Sequence, residues 1–513
     1  MELSEMSSTK EGNSTSVPVV IIGGGPVGMS TALGLAHHGV RSLLIEQNAG
    51  TVRESRAFGV WTRTLEIIRD WGSLEALQQA GTLYKKLEPV DARNERILFS
   101  FDFGILDEIT AAAGAMILPQ NATEGVLREL VRQHEECEVR IAQCLGVEQD
   151  AEGVYVHIVE DGGERVIQAQ FAVGCDGAHS IVRKSLGLEL QGTTYPTRMV
   201  LSDERIEEQG LGHLRFAVHK SGFLASVRFA PNLWRVMVTV LDTLNDEEAI
   251  ADARQAARVR DLFGDRTHET IWISQFRIYR RHVQRFRVGR ILLAGDAAHL
   301  NSPAGGQGMN SGIQDAENAA WKLAAALRGG DMDRLLESYH KERWEAIVSH
   351  VEQNSDRNTS LEFNMPAFLK PTLLALLGYA IHARPISIQF ARNFSMLDLT
   401  YTDSPLLIQG HKLVGTRLDD LKIDGSRRIS DCFSGHTGIL ACNTPDIENS
   451  IGGVPVVHIP SIPRAWGLHK PACIILRPDR HVGAVIENPT NMRIAYALQT
   501  TTGQVIKGAS TSH

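Results

Sequence analysis

Two groups of residues in this 513-residue chain have the types and spacing for chemistry on a nucleotide. The first is Gly23, Gly25 and Gly28 in GGGPVG, a G-x-G-x-x-G pattern that directly follows the apolar run 17–22. The first glycine allows a tight turn, the second lets a pyrophosphate approach the backbone, and the third lets a helix pack on the strand. Glu46 closes a second apolar run, 42–45, near the position where a dinucleotide fold places its ribose-binding acid. Because that acid repels a 2′-phosphate, the expected nucleotide is FAD or NAD rather than NADP. The second group is Asp296 with Gly308, Met309 and Asn310. Asp296 follows the short apolar run 291–294, and its carboxylate can accept from hydroxyls. N–H groups near residues 308–310, at the start of a helix-compatible segment, can face negative charge. A reduced flavin presents both partners, a ribityl chain and an anionic ring edge.

These groups need elements to hold them. Residues 17–22 and 42–45 read as strands with a helix, 29–38, between them. After the Gly- and Pro-rich loop at 301–308, apolar Ile313, Ala316, Ala320, Leu323, Ala324 and Leu327 fall on one helical face. Beyond residue 187 the pattern changes. Segments 214–218, 224–229, 234–241 and 271–276 read as antiparallel strands, and 246–263 as a helix. His213, Arg215, His219, Arg228, Arg277 and Tyr279 are candidates to line a cavity there, although strand alternation sends half of such residues to solvent. Residues 331–382 read as helices, and the apolar run 371–383 is expected to pack against the cavity. His299, beside a glycine turn, reads as a hydrogen-bonded structural residue.

The composition, 43% hydrophobic and 22% charged, is that of a soluble globular protein. The length calls for several structural units. A net charge of -8 argues against nucleic-acid or anionic-membrane partners. Residues 1–16 are polar and lack the plan of a signal peptide, so they read as a disordered extension. The uncharged stretch 17–36 contains GGGP, which suits a strand, turn and helix better than a membrane span. Six scattered cysteines with no C-x-x-C favour a reducing cytoplasm, without a disulfide framework or structural metal.

Five segments occur in the order found in the flavin-dependent aromatic monooxygenases of the para-hydroxybenzoate hydroxylase fold, which the chain resembles. They are GGGPVG, SRAFGVWTRTLEIIRDWG (55–72), LPQNATEGVLREL (118–130), GCDGAHSIVRKSLG (174–187) and the stretch 289–327. Two later segments, YTDSPLLIQGHKLVGTRLDD and ACIILRPDRHVGAVI, resemble the thioredoxin-like C-terminal domain of phenol and polyketide hydroxylase relatives. There Leu418 replaces the usual proline after Arg417, and the absent C-x-x-C removes dithiol chemistry, leaving a structural or dimerising role.

The resemblance implies an α/β architecture. A Rossmann-like FAD-binding domain (17–187 and 286–398) would carry an inserted β-sheet substrate domain (188–285), followed by a thioredoxin-like domain (399–513). It implies Arg56 beside the flavin, Gln120 in contact with the cofactor, and Asp176–Gly177 as a central DG motif. The acid of that motif is associated with FAD and the pyridine nucleotide. Asp296 would hold the ribityl chain, and the backbone of Met309 and Asn310 would lie against the ring. The implied activity is hydroxylation of a phenolic or polycyclic aromatic compound through a flavin 4a-hydroperoxide, with O2 and transient NADH or NADPH. No metal is implied, and no catalytic base is identified. Arg128 and Arg183 are candidates for phosphate or capping contacts. Baeyer–Villiger oxidation, epoxidation, halogenation or a non-catalytic flavin sensor are the alternatives, although the W-x-W-x-I-P segment of tryptophan-type halogenases is missing. A homodimer is left open.

Overall fold

The strand Ser16–Ile22 is almost wholly apolar and buried, which suits the centre of a parallel sheet covered on both faces. It belongs to a computed structural model that describes residues 16–50, 57–207, 213–219, 222–241, 244–302, 306–352, 383–425, 427–459 and 462–504. Ser16–Ile22 pairs in parallel with Ser42–Glu46 and with Gly163–Gly174, and the latter pairs in parallel with Ile291–Leu293. The register sets Ile22 opposite Ile45 and Gly174, and Gly174 opposite Leu293. Three motifs distant in sequence therefore leave the sheet together, at the carboxyl ends of its parallel strands. Helix Pro26–His37 begins with proline, whose missing N–H costs nothing at that position. It packs on Gly308–Leu327 so closely that a Cβ on Gly34 would stand 2.9 Å from that of Ala320.

A second sheet runs in the order His299–Leu300, His268–His282, Gln191–Ile206, Leu233–Leu241, Gly222–Ala230, Leu214–His219, Pro89–Asp91, Arg96–Ile97. Its last two strands come from within residues 17–187, the span expected to belong to the FAD-binding unit. Pro89–Asp91 joins because it pairs in parallel with Leu214–His219. Alternation divides the faces. Val200, Val236, Val238 and Val240 share a core with Leu262 and Phe263, whereas Val227, Phe229 and Met237 pack into the core of the first domain. The single helix expected over 246–263 is two, Asp246–Ile250 and Asp252–Phe263. Ala251, at φ -58° and ψ 138°, is extended and breaks the ladder. Helix Met332–Glu345 continues as a π-helical turn, Ala346–Glu352; the rest of the region read as helices, including 371–382, lies outside the described residues. No described helix is long and apolar enough to cross a membrane.

The C-terminal unit is a five-stranded sheet ordered Ser450–Ile451, Val454–Ile459, Gly438–Cys442, Ala472–Leu476, Val482–Glu487, with helix Asn491–Thr502 packed on it. It docks through buried charge. Arg477 donates from Nη1 and Nη2 to the two oxygens of Glu342 at 2.8 and 2.7 Å, and Lys322 Nζ donates to Glu342 at 2.7 Å. Arg417 Nε donates to Glu66 at 2.9 Å, and Arg480 Nε to Asp70 at 2.8 Å.

Burial pushes the Glu342 carboxyl up, but Arg477 and Lys322 outweigh it and hold it at about 2, below its ordinary 4.5. A carboxyl depressed in the folded state contributes stability above its unfolded pKa and loses it as pH falls through the folded one. Glu342 therefore contributes stability that is fully present above pH 4.5 and is lost as its carboxyl takes up a proton toward pH 2. Urea midpoints are expected to fall as the pH drops through the acid range in which Glu342 takes up its proton. Glu342→Gln should lower the neutral-pH midpoint and flatten the acid slope, and an unchanged slope would show that this carboxylate is not the titrating group.

Candidate active site

Gly23 turns the chain at φ +104°, and a Cβ there would stand 2.5 Å from the Cys175 carbonyl oxygen. A Cβ on Gly28 would stand 1.8 Å from the Gly23 carbonyl oxygen, so the helix lies directly on the turn. Gly25 is different. Among the described residues nothing lies within 4 Å of where its Cβ would project. Its open side meets the start of Pro26–His37, where no side chain caps the free N–H groups. An anion fits there. Beside it Glu46 accepts from the Gly24 N–H at 2.6 Å and the Asn48 N–H at 2.8 Å.

The third motif lies on the first. A Cβ on Gly295 or Gly312 would come within 2.8 or 2.5 Å of Val27 Cγ2. Asp296 is exposed at this edge. Beneath the loop, the buried Asp315 accepts from the Gly295 N–H at 3.0 Å and from Arg343 Nε at 2.6 Å, and lies 2.7 Å from His299 Nε2. Burial pushes the Asp315 carboxyl up, but Arg343 and His299 outweigh it and keep it below its usual value. The other ring nitrogen of His299 lies 3.1 Å from Asn301 Nδ2, and Phe286 stacks on the ring at 5.8 Å. His299 is thus a bonded part of the loop's foundation, as its sequence context suggested.

Gly308 opens the long helix without a side-chain cap and with open space at its Cβ position among the described residues. Met309 is half-buried. The side chain of Asn310 is engaged: Oδ1 accepts from the Trp61 N–H at 2.9 Å, and Nδ2 donates to Gly59 O at 2.9 Å and Gly306 O at 2.8 Å. Only its backbone is left to meet a ligand. Asp176 accepts from Ser180 Oγ at 2.5 Å and from the Ile181 and Val182 N–H groups at 2.6 and 3.1 Å, capping the helix Ile181–Ser185. Gly177 follows in the left-handed region at φ +75°. Arg183 donates to Ala178 O at 2.8 Å and Ala297 O at 3.1 Å, binding the second motif to the third. Gln120 accepts from the Ala57 N–H at 3.1 Å and donates to Glu124 at 2.8 Å. Arg56, which precedes Ala57, lies outside the described residues.

The sheet face turned toward this edge carries Arg235, a residue outside the candidates named from the sequence. It is fully buried, donates to the two Asp203 oxygens at 2.8 and 3.0 Å and to Ala57 O at 3.3 Å, and lies over Phe229 and Trp272. A lone cation inside the apolar strand LWRVMVTVL was the available signal. Arg215 points the other way, to Leu262 O and Glu95, while His213 and Arg277 are exposed. The side chain of His219 lies outside the described residues. Trp61, Phe101, Phe390 and Phe394 form a connected aromatic group in the first domain.

A crevice at a parallel-sheet edge, with an open glycine, an exposed acid and two uncapped helix starts, fits a dinucleotide with a polyol chain. Residues 16–355 match a family model described as an FAD binding domain. The chain belongs to that family. It is 32% identical over 486 residues to an uncharacterized aromatic compound monooxygenase of Bacillus subtilis, covering 91% of this chain and 94% of the relative. It is 30% identical to the rifampicin monooxygenase of Streptomyces venezuelae, covering 90% of this chain and 94% of the relative. Among solved structures, OxyS anhydrotetracycline hydroxylase from Streptomyces rimosus superimposes with a TM-score of 0.77 at 29% identity, covering 95% of this chain and 99% of that one. The protein is an FAD-dependent aromatic monooxygenase, a class that uses O2 and typically draws on NAD(P)H.

The glycines of this FAD-binding chain separate by experiment. Gly28→Ala should destabilise the apoprotein, because its methyl group meets backbone. Gly25→Ala should leave apoprotein stability within about 1 kcal/mol, because its methyl group meets open space, while weakening FAD uptake. Melting curves and FAD titrations of the two variants test this; equal loss of apoprotein stability in both would contradict the open-site geometry.

Proposed function

We propose that this monooxygenase hydroxylates a phenolic ring within a multi-ring aromatic substrate, held between the second sheet and the edge of the FAD-binding domain. The observation that carries the reading is the apolar and aromatic face formed by Val227, Phe229, Met237 and Trp272, turned toward the first domain around the buried Arg235–Asp203 pair. Relatives named for rifampicin and anhydrotetracycline support a multi-ring substrate.

Within this reading, Gly25 and the start of Pro26–His37 receive the pyrophosphate, and Glu46 the ribose. Asp296 accepts from the ribityl hydroxyls, and the N–H groups at residues 308–310 face the anionic edge of the ring. Arg56 is assigned a place beside the flavin and Gln120 a contact with the cofactor, with Gln120 and Arg235 both bonded to Ala57. Bound FAD supplies the redox chemistry, with NAD(P)H as reductant and O2 as oxidant. The protein's share is to place the ring, keep water from it and hold the substrate against it.

The C-terminal unit is read as thioredoxin-like without redox chemistry. Its mixed sheet and packed helix support the first part. For the second, burial pushes the Cys442 and Cys473 thiols up to about 12 and about 11, where they stay protonated. Six unpaired cysteines support a cytoplasmic setting.

Purified protein should show a flavin spectrum, and multi-ring phenols should stimulate NAD(P)H oxidation more than single-ring ones, with one oxygen atom added to the product. Stimulation that yields only hydrogen peroxide would reject the substrate class. Asp296→Ala should weaken FAD binding by about tenfold or more, the value of a hydrogen bond to a charged group. Unchanged affinity would remove the ribityl role.

A further inference from the structure

The turn Arg477–His481, RPDRH, joins two strands of the C-terminal sheet and is buried in the FAD-binding domain. Such a turn on an independent domain would be solvated. Here Arg477 forks onto both oxygens of Glu342, and Asp479 lies on the same guanidinium at 2.5 Å. Glu342 also accepts from Lys322 and Asn318, both on the helix Gly308–Leu327. The next residue of its own helix, Arg343, points to the other side and donates to Asp315 at 2.6 Å. Asp315 holds the Gly295 N–H, one residue before Asp296. A parallel route runs from His481, whose ring lies 4.3 Å from that of Tyr401, to Arg343 Nη1, 3.2 Å from the Tyr401 hydroxyl. On the opposite side Asp479 O accepts from Arg63 at 3.0 Å. Arg63 sits in the first turn of the helix that follows Trp61, and Trp61 is bonded to Asn310 and Gly306.

We propose that the Arg477–His481 turn is a positioning element for the cofactor. Through Glu342, Arg343 and Asp315 it fixes the loop that carries Asp296, and through Arg63 it fixes the segment that clasps the start of Gly308–Leu327. The C-terminal domain then serves the flavin site from behind, without touching the ligand. This rests on the FAD-site reading given above.

The test uses the full-length chain stripped of flavin and titrated with FAD, followed by flavin fluorescence and by visible circular dichroism of the bound flavin. Apoprotein melting is recorded beside it. Arg477→Lys keeps the charge and loses the fork, and Asp479→Asn keeps the shape and loses the charge. Both should weaken FAD binding about tenfold, the size of effect that outer partners have on the groups they orient, and both should alter the flavin dichroism. Arg69→Ala removes a different interdomain contact, to Ser430 and Asp431. It should lower the melting temperature and leave FAD affinity and dichroism as in the wild type. Should one of these two variants fail to fold, the other decides. FAD affinity and dichroism unchanged in both, even with lowered melting, would reduce the turn to a domain anchor and overturn the proposal. A wild-type chain that takes up no FAD would instead overturn the cofactor reading, and the proposal with it.

Discussion

Glu342 is a carboxylate with no exposure to water, and its charge is tolerable only because Arg477, Lys322, Asn318 and Ser404 surround it. Desolvating such ions cancels much of their mutual attraction, so a complete cluster adds little net stability over an apolar one. Removing one partner, however, costs about 3–5 kcal/mol because a buried charge is left alone. The consequence is geometric. Two helices of the first domain and a turn of the C-terminal domain meet in one arrangement or pay a large penalty, and partial slippage is excluded. Arg417 and Arg480 repeat the logic against Glu66 and Asp70, so the C-terminal unit is registered on the first domain at separate points.

That registration matters because the ligand edge is assembled from distant pieces. Ile22, Glu46, Gly174 and Leu293 end side by side only through the parallel register. The loops that leave them are then held by contacts too close for any side chain, Gly23 on Cys175 and Gly295 and Gly312 on Val27. Glycine at those positions serves packing. At Gly25 and Gly308 the same residue type instead leaves open space among the described residues.

Local patterns carried the first part of this architecture well. A strand followed by G-x-G-x-x-G, an acid closing the next strand, and an acid before a glycine loop all lie within short windows, and the structure brings them to one edge. Long-range pairing was not legible in the same way. Pro89–Asp91 is too short for a strand pattern and becomes one by pairing with Leu214–His219. Ala251 carries no breaker residue, yet it divides a helix because two segments must cover different parts of a sheet. The buried charges were hidden most thoroughly. Glu342, Arg343 and Lys322 stand in sequence like solvated helix residues, and only the tertiary structure supplies the partner that makes burial affordable. Arg235 was the exception, since one cation inside an apolar strand signals a partner.

Asp296 and Asp315 show how one residue type divides the work of the site. Asp315 is sealed, and Arg343 and His299 keep it ionised so that it can hold the Gly295 N–H. Asp296, one residue further along the loop, is left facing outward. The loop is therefore shaped by a sealed acid, which sets in advance where the exposed acid beside it stands. Such preorganisation reduces what binding must spend on ordering the site. It also explains why the foundations reach so far: a loop held by Asp315 is only as well placed as Arg343, and Arg343 lies beside Glu342 on a helix whose position the C-terminal turn defines.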